Sequence, residues 1–290
     1  MRSLLEGARI VAAHALRESL RRRVFVVVLG LTVIFGALYA WGVNELFADI
    51  NELGGNQFLD AETLAGATIL GLAMFGTLFL GVVLAVFLTL NAVRGDAERG
   101  LLQPLVVRPL GRGAYLLGRW AAAATVSATY VVVVFLGGVL LTKLVGGYSP
   151  DRIVMPALEL AGAVAIISAL ALLGSIALGT TANGIGVLML FGAGLLIGLL
   201  GSIGDALNSE TLTDVANVAS WALPFEGLYR DALFQLVADA ASRGGVTGAL
   251  VQLGPLGGSH DNPEIFPVYC VAYAAVVGTA ALLAFRRRDL

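Results

Sequence analysis

Residues 64–90, LAGATILGLAMFGTLFLGVVLAVFLTL, form an uninterrupted apolar run that contains no charged side chain. As an α-helix this run is about 40 Å long, which exceeds the thickness of a bilayer's hydrocarbon core, about 30 Å. Similar runs recur along the chain, in which 58% of the 290 residues are hydrophobic and 13% are charged. The sequence therefore predicts an all-α membrane protein with several transmembrane helices in one domain, 1–290.

Six segments are long and apolar enough to cross the bilayer as helices. They are residues 24–43, 64–90, 120–141, 156–178, 185–203 and 266–285. The preceding segment, 1–23, gathers apolar residues on one side and charged residues on the other. This pattern predicts an amphipathic helix at the membrane surface, with a plain basic anchor as the alternative. The segment 204–265 has an apolar stripe at helical spacing within 228–242, which predicts short helices on or in the outer leaflet.

The placement of basic residues predicts the orientation of the chain. Segments 1–23, 91–119 and 286–290 hold six, five and three of the eighteen Lys and Arg residues. Because loops rich in Lys and Arg remain in the cytoplasm, both termini and the segment 91–119 are expected there. The expected location is the plasma membrane.

Missing residue types exclude several kinds of chemistry. The single lysine, Lys143, lies outside any G-x-x-x-x-G-K-[ST] pattern, so the chain is not expected to hydrolyse ATP. Cys270, His14 and His260 are too few and too far apart for a metal cage, so we expect no metal or cofactor in this chain. Within the predicted spans, Glu159 is the charged residue, which disfavours an ion-coupled transporter. Glu159 itself has either a functional role or one at the start of its helix.

A charged segment, 91–119, separates the second predicted span from the third. Residues 93–105 predict a short helix with acidic residues near its start, and Pro104 and Pro109 end it. A short helix that carries both charge signs at a membrane surface is suited to docking into a groove of a soluble protein. The alternative is a loop that only orients the chain.

The motifs of this segment resemble those of type-2 ABC exporter permeases. The resemblance rests on GDAERGLLQ at 95–103, RPLGR at 108–112 and YLLGR at 115–119, and the ends of the chain, HALRESLRRR at 14–23 and FRRRDL at 285–290, resemble the family's connecting helix. Asp96 stands where Glu is common in the family, and Leu101 stands where Thr is common.

Within that family the chain resembles the subgroup that includes the permease of the nitrous-oxide-reductase maturation transporter. Copper or sulfur traffic would require Met, His or Cys along the spans, but only Met74, Met189 and Cys270 are available there. The specialised role of that subgroup is therefore not indicated.

The resemblance implies that residues 91–119 form a coupling helix seated in a separate nucleotide-binding subunit. In this family two permeases and two ATPases form the transporter, and the ATPase subunits bind ATP and Mg. The coupling residues implied by the motif are Gly95, Asp96, Glu98, Arg99, Gly100, Arg108, Pro109 and Arg112. The expected function is the permease subunit of an ATP-driven exporter of hydrophobic or amphipathic molecules.

Two sets of span residues are candidates for the substrate path and for the contact between two copies of the chain. Path residues are predicted from the second and fifth spans, with ordinary packing as the alternative for each: Met74, Phe75, Phe79, Asn183, Met189 and Phe191. Small residues permit close approach of helices. The predicted dimer seam therefore contains Gly186, Gly192, Gly194 and Gly198.

Two other functions remain open from the sequence. One is a non-transporting membrane module, a mechanotransmitter or receptor, that acts on an extracytoplasmic protein. The other is a secondary transporter that works without ATP. The expected partners are the ATPase, a second copy of this chain and the lipid bilayer, with an extracytoplasmic protein as a further candidate and no nucleic acid.

Overall fold

The computed structural model describes residues 2–21, 23–52, 59–90, 111–207, 209–243, 262–263 and 265–287. Within these ranges all regular structure is α-helical, which confirms the predicted class. The helices are α1 (Arg2–Arg21), α2 (Arg23–Glu52), α3 (Leu59–Thr89), α4 (Arg112–Gly146), α5 (Val154–Ala177), α6 (Thr180–Ala206), α7 (Glu210–Ala222), α8 (Pro224–Arg243) and α9 (Phe266–Arg286).

Six of these helices, α2 to α6 and α9, contain stretches long and apolar enough to cross a membrane. Each of them corresponds to one of the six predicted spans, although α3 and α5 end one residue before the predicted limits 90 and 178. The helix of the third predicted span, α4, begins earlier than the sequence indicated, at Arg112 rather than at residue 120. Gly111 has an extended backbone and precedes the helix, whereas Gly113 and Gly118 are helical and do not interrupt it. Residues 112–119 of the predicted coupling segment are therefore the first turns of α4.

The core of the bundle lies around α3 and α5. Within the most apolar window of each helix, 67% of the α3 residues and 61% of the α5 residues are buried, against 11% for α2 and 22% for α9. A helix that is apolar on all sides packs well at the centre of a bundle. Helices α2 and α9 lie at the periphery and expose side chains such as Val33 and Val271.

Helices α7 and α8 form a hairpin that folds back along the last part of α6. A Cβ atom at Gly204 would lie 2.9 Å from the Cβ of Leu212, and one at Gly194 would lie 2.8 Å from the ring of Phe225. The absence of side chains on α6 therefore permits this close approach. The hairpin confirms helices in the described part of the segment before the last span.

The consecutive long helices alternate in direction, so the bundle has two distinct ends. The start of α4 and the end of α9 meet at one end, where Arg112 hydrogen-bonds to the backbone of Arg286. Leu90 and Gly184 lie together at this end as well. We call it the basic end, and the opposite end, which holds the α7–α8 hairpin, the hairpin end.

Candidate coupling platform and buried α8 cluster

Most of the predicted coupling residues fall outside the described part of the chain. This applies to Gly95, Asp96, Glu98, Arg99, Gly100, Arg108 and Pro109. Their role stays a prediction. The described chain resumes at Gly111, and Arg112 is the one coupling residue with a described position.

Arg112 ties the start of α4 to the end of α9. Its Nη1 atom donates hydrogen bonds to the carbonyl oxygens of Phe285, at 3.3 Å, and Arg286, at 3.0 Å. Its guanidinium also lies 5.8 Å from the centre of the Phe285 ring. The last carbonyls of a helix have no partner within the helix, and a cation is favourable near that end. Arg112, in the last part of the predicted coupling segment, therefore caps α9.

Helix α1 is held against the first turns of α4. A Cβ atom at Gly118 would lie 2.7 Å from the carbonyl oxygen of Ala8 and 2.7 Å from the Cβ of Val11, so only glycine permits this contact. About two turns beyond Val11 on α1, Glu18 accepts a hydrogen bond from Arg119 at 3.1 Å in an ion pair. Packing and charge therefore fix α1 on α4 at two places.

Aromatic contacts extend this arrangement to α9. The Nε atom of Arg119 donates to the hydroxyl of Tyr115 at 3.3 Å, and the Tyr115 ring stacks on Phe285 at 6.2 Å. Both rings are buried, together with Leu172 and Ile176 of α5. We call this assembly, Glu18, Arg112, Tyr115, Arg119 and Phe285, the basic-end platform. It joins α1, α4 and α9 next to the predicted coupling segment.

Three of the predicted path residues come together in one aromatic cluster. The ring centres of Phe75 and Phe79 of α3 are 6.4 Å apart, and the ring centre of Phe79 is 6.4 Å from that of Phe191 on α6. Helix α8 completes the cluster, because Phe225 lies 6.2 Å from Phe191 and Tyr229 lies 6.4 Å from Phe75. Sequence reasoning did not include Phe225 or Tyr229. Their spacing of four residues, directly after Pro224, was the available signal.

The other three predicted path residues lie elsewhere. Met74 is fully buried in the main core, and Met189 is exposed on α6. Asn183 is buried at the basic end, where its Nδ2 atom donates to the carbonyl oxygen of Ala171 at 2.9 Å. Asn183 therefore joins the start of α6 to α5.

Helix α8 carries a buried ion pair beside the aromatic cluster. The Nε atom of Arg230 lies 3.6 Å from Oε1 of Glu226, and the side chains are only 4% and 1% exposed. Burial raises the pKa of Glu226 from its ordinary 4.5 to about 7, and the charge of Arg230 lowers it in part. At this carboxyl group the cost of burial therefore exceeds the attraction of Arg230.

Glu159 of α5 also faces α8. Its Oε1 atom accepts a hydrogen bond from Nε2 of Gln235 at 2.8 Å, and the same amide lies 3.4 Å from Oδ1 of Asp231. Glu159 is only 4% exposed. Its partner on α8 was not foreseen, because the sequence predicted a short helix on or in the outer leaflet without indicating what it contacts.

The four glycines of the predicted dimer seam have different surroundings. Gly194 and Gly198 are buried against Phe225 and Glu226 of the same chain. By contrast, a Cβ atom at Gly186 or Gly192 would meet nothing within 4 Å. The face of α6 with Gly186 and Gly192 is therefore open in a single chain.

The fold and these contacts define a multi-pass helical membrane protein with a tightly joined platform at one end. Among the described residues, no group of His, Cys, Asp and Glu side chains is arranged to hold a metal ion. Residues 9–290 match the ABC-2 family transporter protein family, and the chain belongs to this family. No curated protein matches the sequence.

Family membership defines the general role of the chain. It is a membrane subunit of the ABC transporter class, and such subunits work with a separate ATPase. The resemblance stated from the motifs is thus confirmed at the level of the family. The similarity to the nitrous-oxide-reductase maturation transporter is not confirmed.

Proposed function

We propose that two copies of this chain form the membrane part of an exporter of hydrophobic or amphipathic molecules. Two ATPase subunits bind ATP and Mg and dock at the basic end, which faces the cytoplasm. The observation that carries the proposal is the basic-end platform, because it joins three helices beside the segment 91–110.

The platform supplies a route by which force reaches the spans. Residues 91–110 connect the end of α3 to the start of α4. A displacement of this segment acts on α4 directly and on α9 through Arg112. It acts on α1 through the packing at Gly118, with the ion pair of Arg119 and Glu18 as a second contact. Because these contacts combine packing with charge, the three helices move together.

The aromatic cluster is our candidate for the contact with the substrate. Phe79 is 44% exposed, whereas Phe191 and Phe225 are buried. Phe79 therefore extends the cluster to the surface of a single chain. Aromatic rings offer large apolar contact areas without a fixed hydrogen-bonding pattern, which is suited to hydrophobic cargo.

A mechanotransmitter is the second candidate. The hairpin is packed on α6 and α5, so a movement started at the basic end also reaches the hairpin end. ATP-dependent transport of an apolar dye into vesicles containing the complete complex distinguishes the two functions. An exporter accumulates the dye, while a mechanotransmitter hydrolyses ATP without accumulation.

Reversal of the charge of the coupling segment tests the proposal. We expect the double substitution Asp96→Lys and Glu98→Lys to abolish transport and to weaken co-purification of the ATPase. Like charges would then face each other at a complementary interface, which costs several kcal/mol. Insertion is retained, because added positive charge agrees with the predicted cytoplasmic location.

The matched control is Glu6→Lys, which reverses an exposed charge on α1 at the same end of the bundle. We expect this variant to transport and to bind the ATPase normally. Wild-type transport and ATPase binding by the double variant would show that residues 91–110 only orient the chain.

A further inference from the structure

A groove opens on the surface of the bundle between α4, α5 and α9. Its volume is about 600 Å³, and it is lined almost wholly by apolar atoms. Among the lining residues are Leu116, Trp120, Ile166, Ala169, Gly278 and Leu282. It lies apart from the aromatic cluster and shares no residue with it.

The groove exists because small side chains face the space between the three helices. Ala165, Ala274 and Ala275 line it, and a Cβ atom at Gly278 would meet nothing within 4 Å. The wall at Trp120 is fixed, since its Nε1 atom donates to the carbonyl oxygen of Ala165 at 3.1 Å. The indole therefore presents its apolar face to the groove and has its polar atom satisfied.

The length of the groove corresponds to one leaflet of a bilayer. Along α9 it runs from Cys270 to Leu282, a distance of about 18 Å. Half of a hydrocarbon core is about 15 Å thick. The groove is centred near the middle of α9 and ends one turn before Arg286, so an acyl chain of this length reaches it from the basic end.

The lining of the groove favours an acyl chain as its occupant. Its walls are almost wholly apolar, and a single acyl chain is narrow enough to lie between the helices.

Positive charge stands at one mouth of the groove. Arg286 follows the lining residues Gly278 and Leu282 at intervals of four residues, so it continues the same face of α9. Arg112 precedes Leu116 and Trp120 at the same spacing on α4, and both arginines are exposed. An anionic headgroup is attracted to such a mouth.

We propose that this groove binds an anionic phospholipid. One acyl chain fills the space between α4, α5 and α9, and the phosphate lies at Arg286 and Arg112. The lipid is a bound component of the subunit and not its cargo, so this inference goes beyond the proposed function. Because Arg112 belongs to the basic-end platform, the bound lipid adds to the contact between α4 and α9.

Quenching of Trp120 fluorescence by brominated lipid tests the proposal. The full chain with Trp41→Phe and Trp221→Phe is reconstituted into phosphatidylcholine vesicles with a minor fraction of brominated phosphatidylglycerol or brominated phosphatidylcholine. We expect about fivefold enrichment of the anionic lipid at Trp120, which corresponds to about 1 kcal/mol for a basic residue near the surface.

A second single-tryptophan chain supplies the reference for bulk lipid. Trp41 on α2 is 66% exposed, so with Trp120→Phe and Trp221→Phe it samples the surrounding lipid. We expect equal quenching of Trp41 by both brominated lipids. Equal quenching of Trp120 by both lipids would overturn the proposal.

Two substitutions distinguish the acyl chain from the headgroup. Gly278→Leu fills the groove from α9 and should remove the excess quenching of Trp120. The control is Gly137→Leu on α4, where a Cβ atom would also meet nothing within 4 Å, and it should leave the quenching unchanged. Arg286→Gln should reduce the preference for the anionic lipid while the chain elutes as wild type. Enrichment unaffected by both Gly278→Leu and Arg286→Gln would overturn the proposal. Cross-linking of two copies through Thr279→Cys would also overturn it, because a protein would then cover the groove.

Discussion

At the scale of single residues, Glu226 is an unusual carboxyl group. It lies in the interior, 1% exposed, and its nearest described charge is Arg230 at 3.6 Å. Neither of its oxygens accepts a hydrogen bond from a described residue. Its ionised form is therefore only partly compensated, which is why burial raises its pKa to about 7.

This raised pKa predicts a pH-dependent stability. The folded chain holds the proton of Glu226 more tightly than the unfolded chain, so its contribution is complete below pH 4.5 and is lost as the pH rises through about 7. We expect the unfolding temperature of the wild type to fall, relative to Glu226→Gln, between about pH 5 and about pH 8. The free energy of unfolding should change by at most about 3 kcal/mol over this range.

The control for this experiment is Glu210→Gln, an exposed carboxyl group on α7. This substitution removes a carboxyl group outside the interior and should not reproduce the change expected for Glu226→Gln. A constant difference between the wild type and Glu226→Gln over this range would show that Glu226 titrates normally.

At the scale of elements, the contact of α1 with α4 depends on one missing side chain. Gly118 stands where the backbone of α1 passes closest to α4. The ion pair of Glu18 with Arg119 is partly exposed, because Glu18 is 40% exposed, and such pairs contribute little. The packing at Gly118 is therefore the main determinant of this contact.

We expect Gly118→Val to displace α1 from α4. The added side chain collides with the backbone oxygen of Ala8. Because this oxygen belongs to the backbone, no change of a side-chain rotamer removes the collision. Overpacking of this kind typically costs about 1–3 kcal/mol. A lower unfolding temperature and faster proteolysis of the N-terminal helix would be measured.

Gly137→Val is the matched control, since it lies on the same helix with nothing within 4 Å of a Cβ atom. This variant should keep the wild-type unfolding temperature and proteolysis rate. If Gly118→Val behaved like Gly137→Val, the contact of α1 with α4 would not contribute to stability.

At the scale of the whole molecule, the open face of α6 predicts where a second copy packs. In a chain with Cys270→Ala, we expect Gly192→Cys to form a cross-link between two copies. Gly194→Cys should not form one, because Phe225 of the same chain covers that position. The amount of cross-linked dimer that each of the two variants forms in native membranes, compared by gel electrophoresis, checks this prediction. Efficient cross-linking at residue 194 with none at residue 192 would place the seam elsewhere.

The sequence contained enough information for the number of spans and for their approximate positions. Length and apolar composition decide both, and they are properties of each segment alone. The start of α4 was missed by several residues, because a charged residue in the first turn of a span looks the same as one in a loop. Arg112 is such a residue.

The surroundings of α8 depended on information that a single segment does not contain. An apolar stripe has the same pattern whether it faces lipid or the helices α3 and α5. Likewise, small residues on α6 indicate a close approach but do not identify what approaches. Gly194 was therefore assigned to a second copy, although α8 of the same chain occupies that space.

The buried charges of α8 have a consequence for the biogenesis of the chain. Glu226, Arg230 and Asp231 are all buried, and charged side chains are costly in lipid unless other protein groups surround them. We therefore expect the α7–α8 hairpin to enter the bundle only where α3, α5 and α6 offer it partners. Phe266 of α9 then packs on Gly227, and Asn262 bonds to the backbone of the same residue.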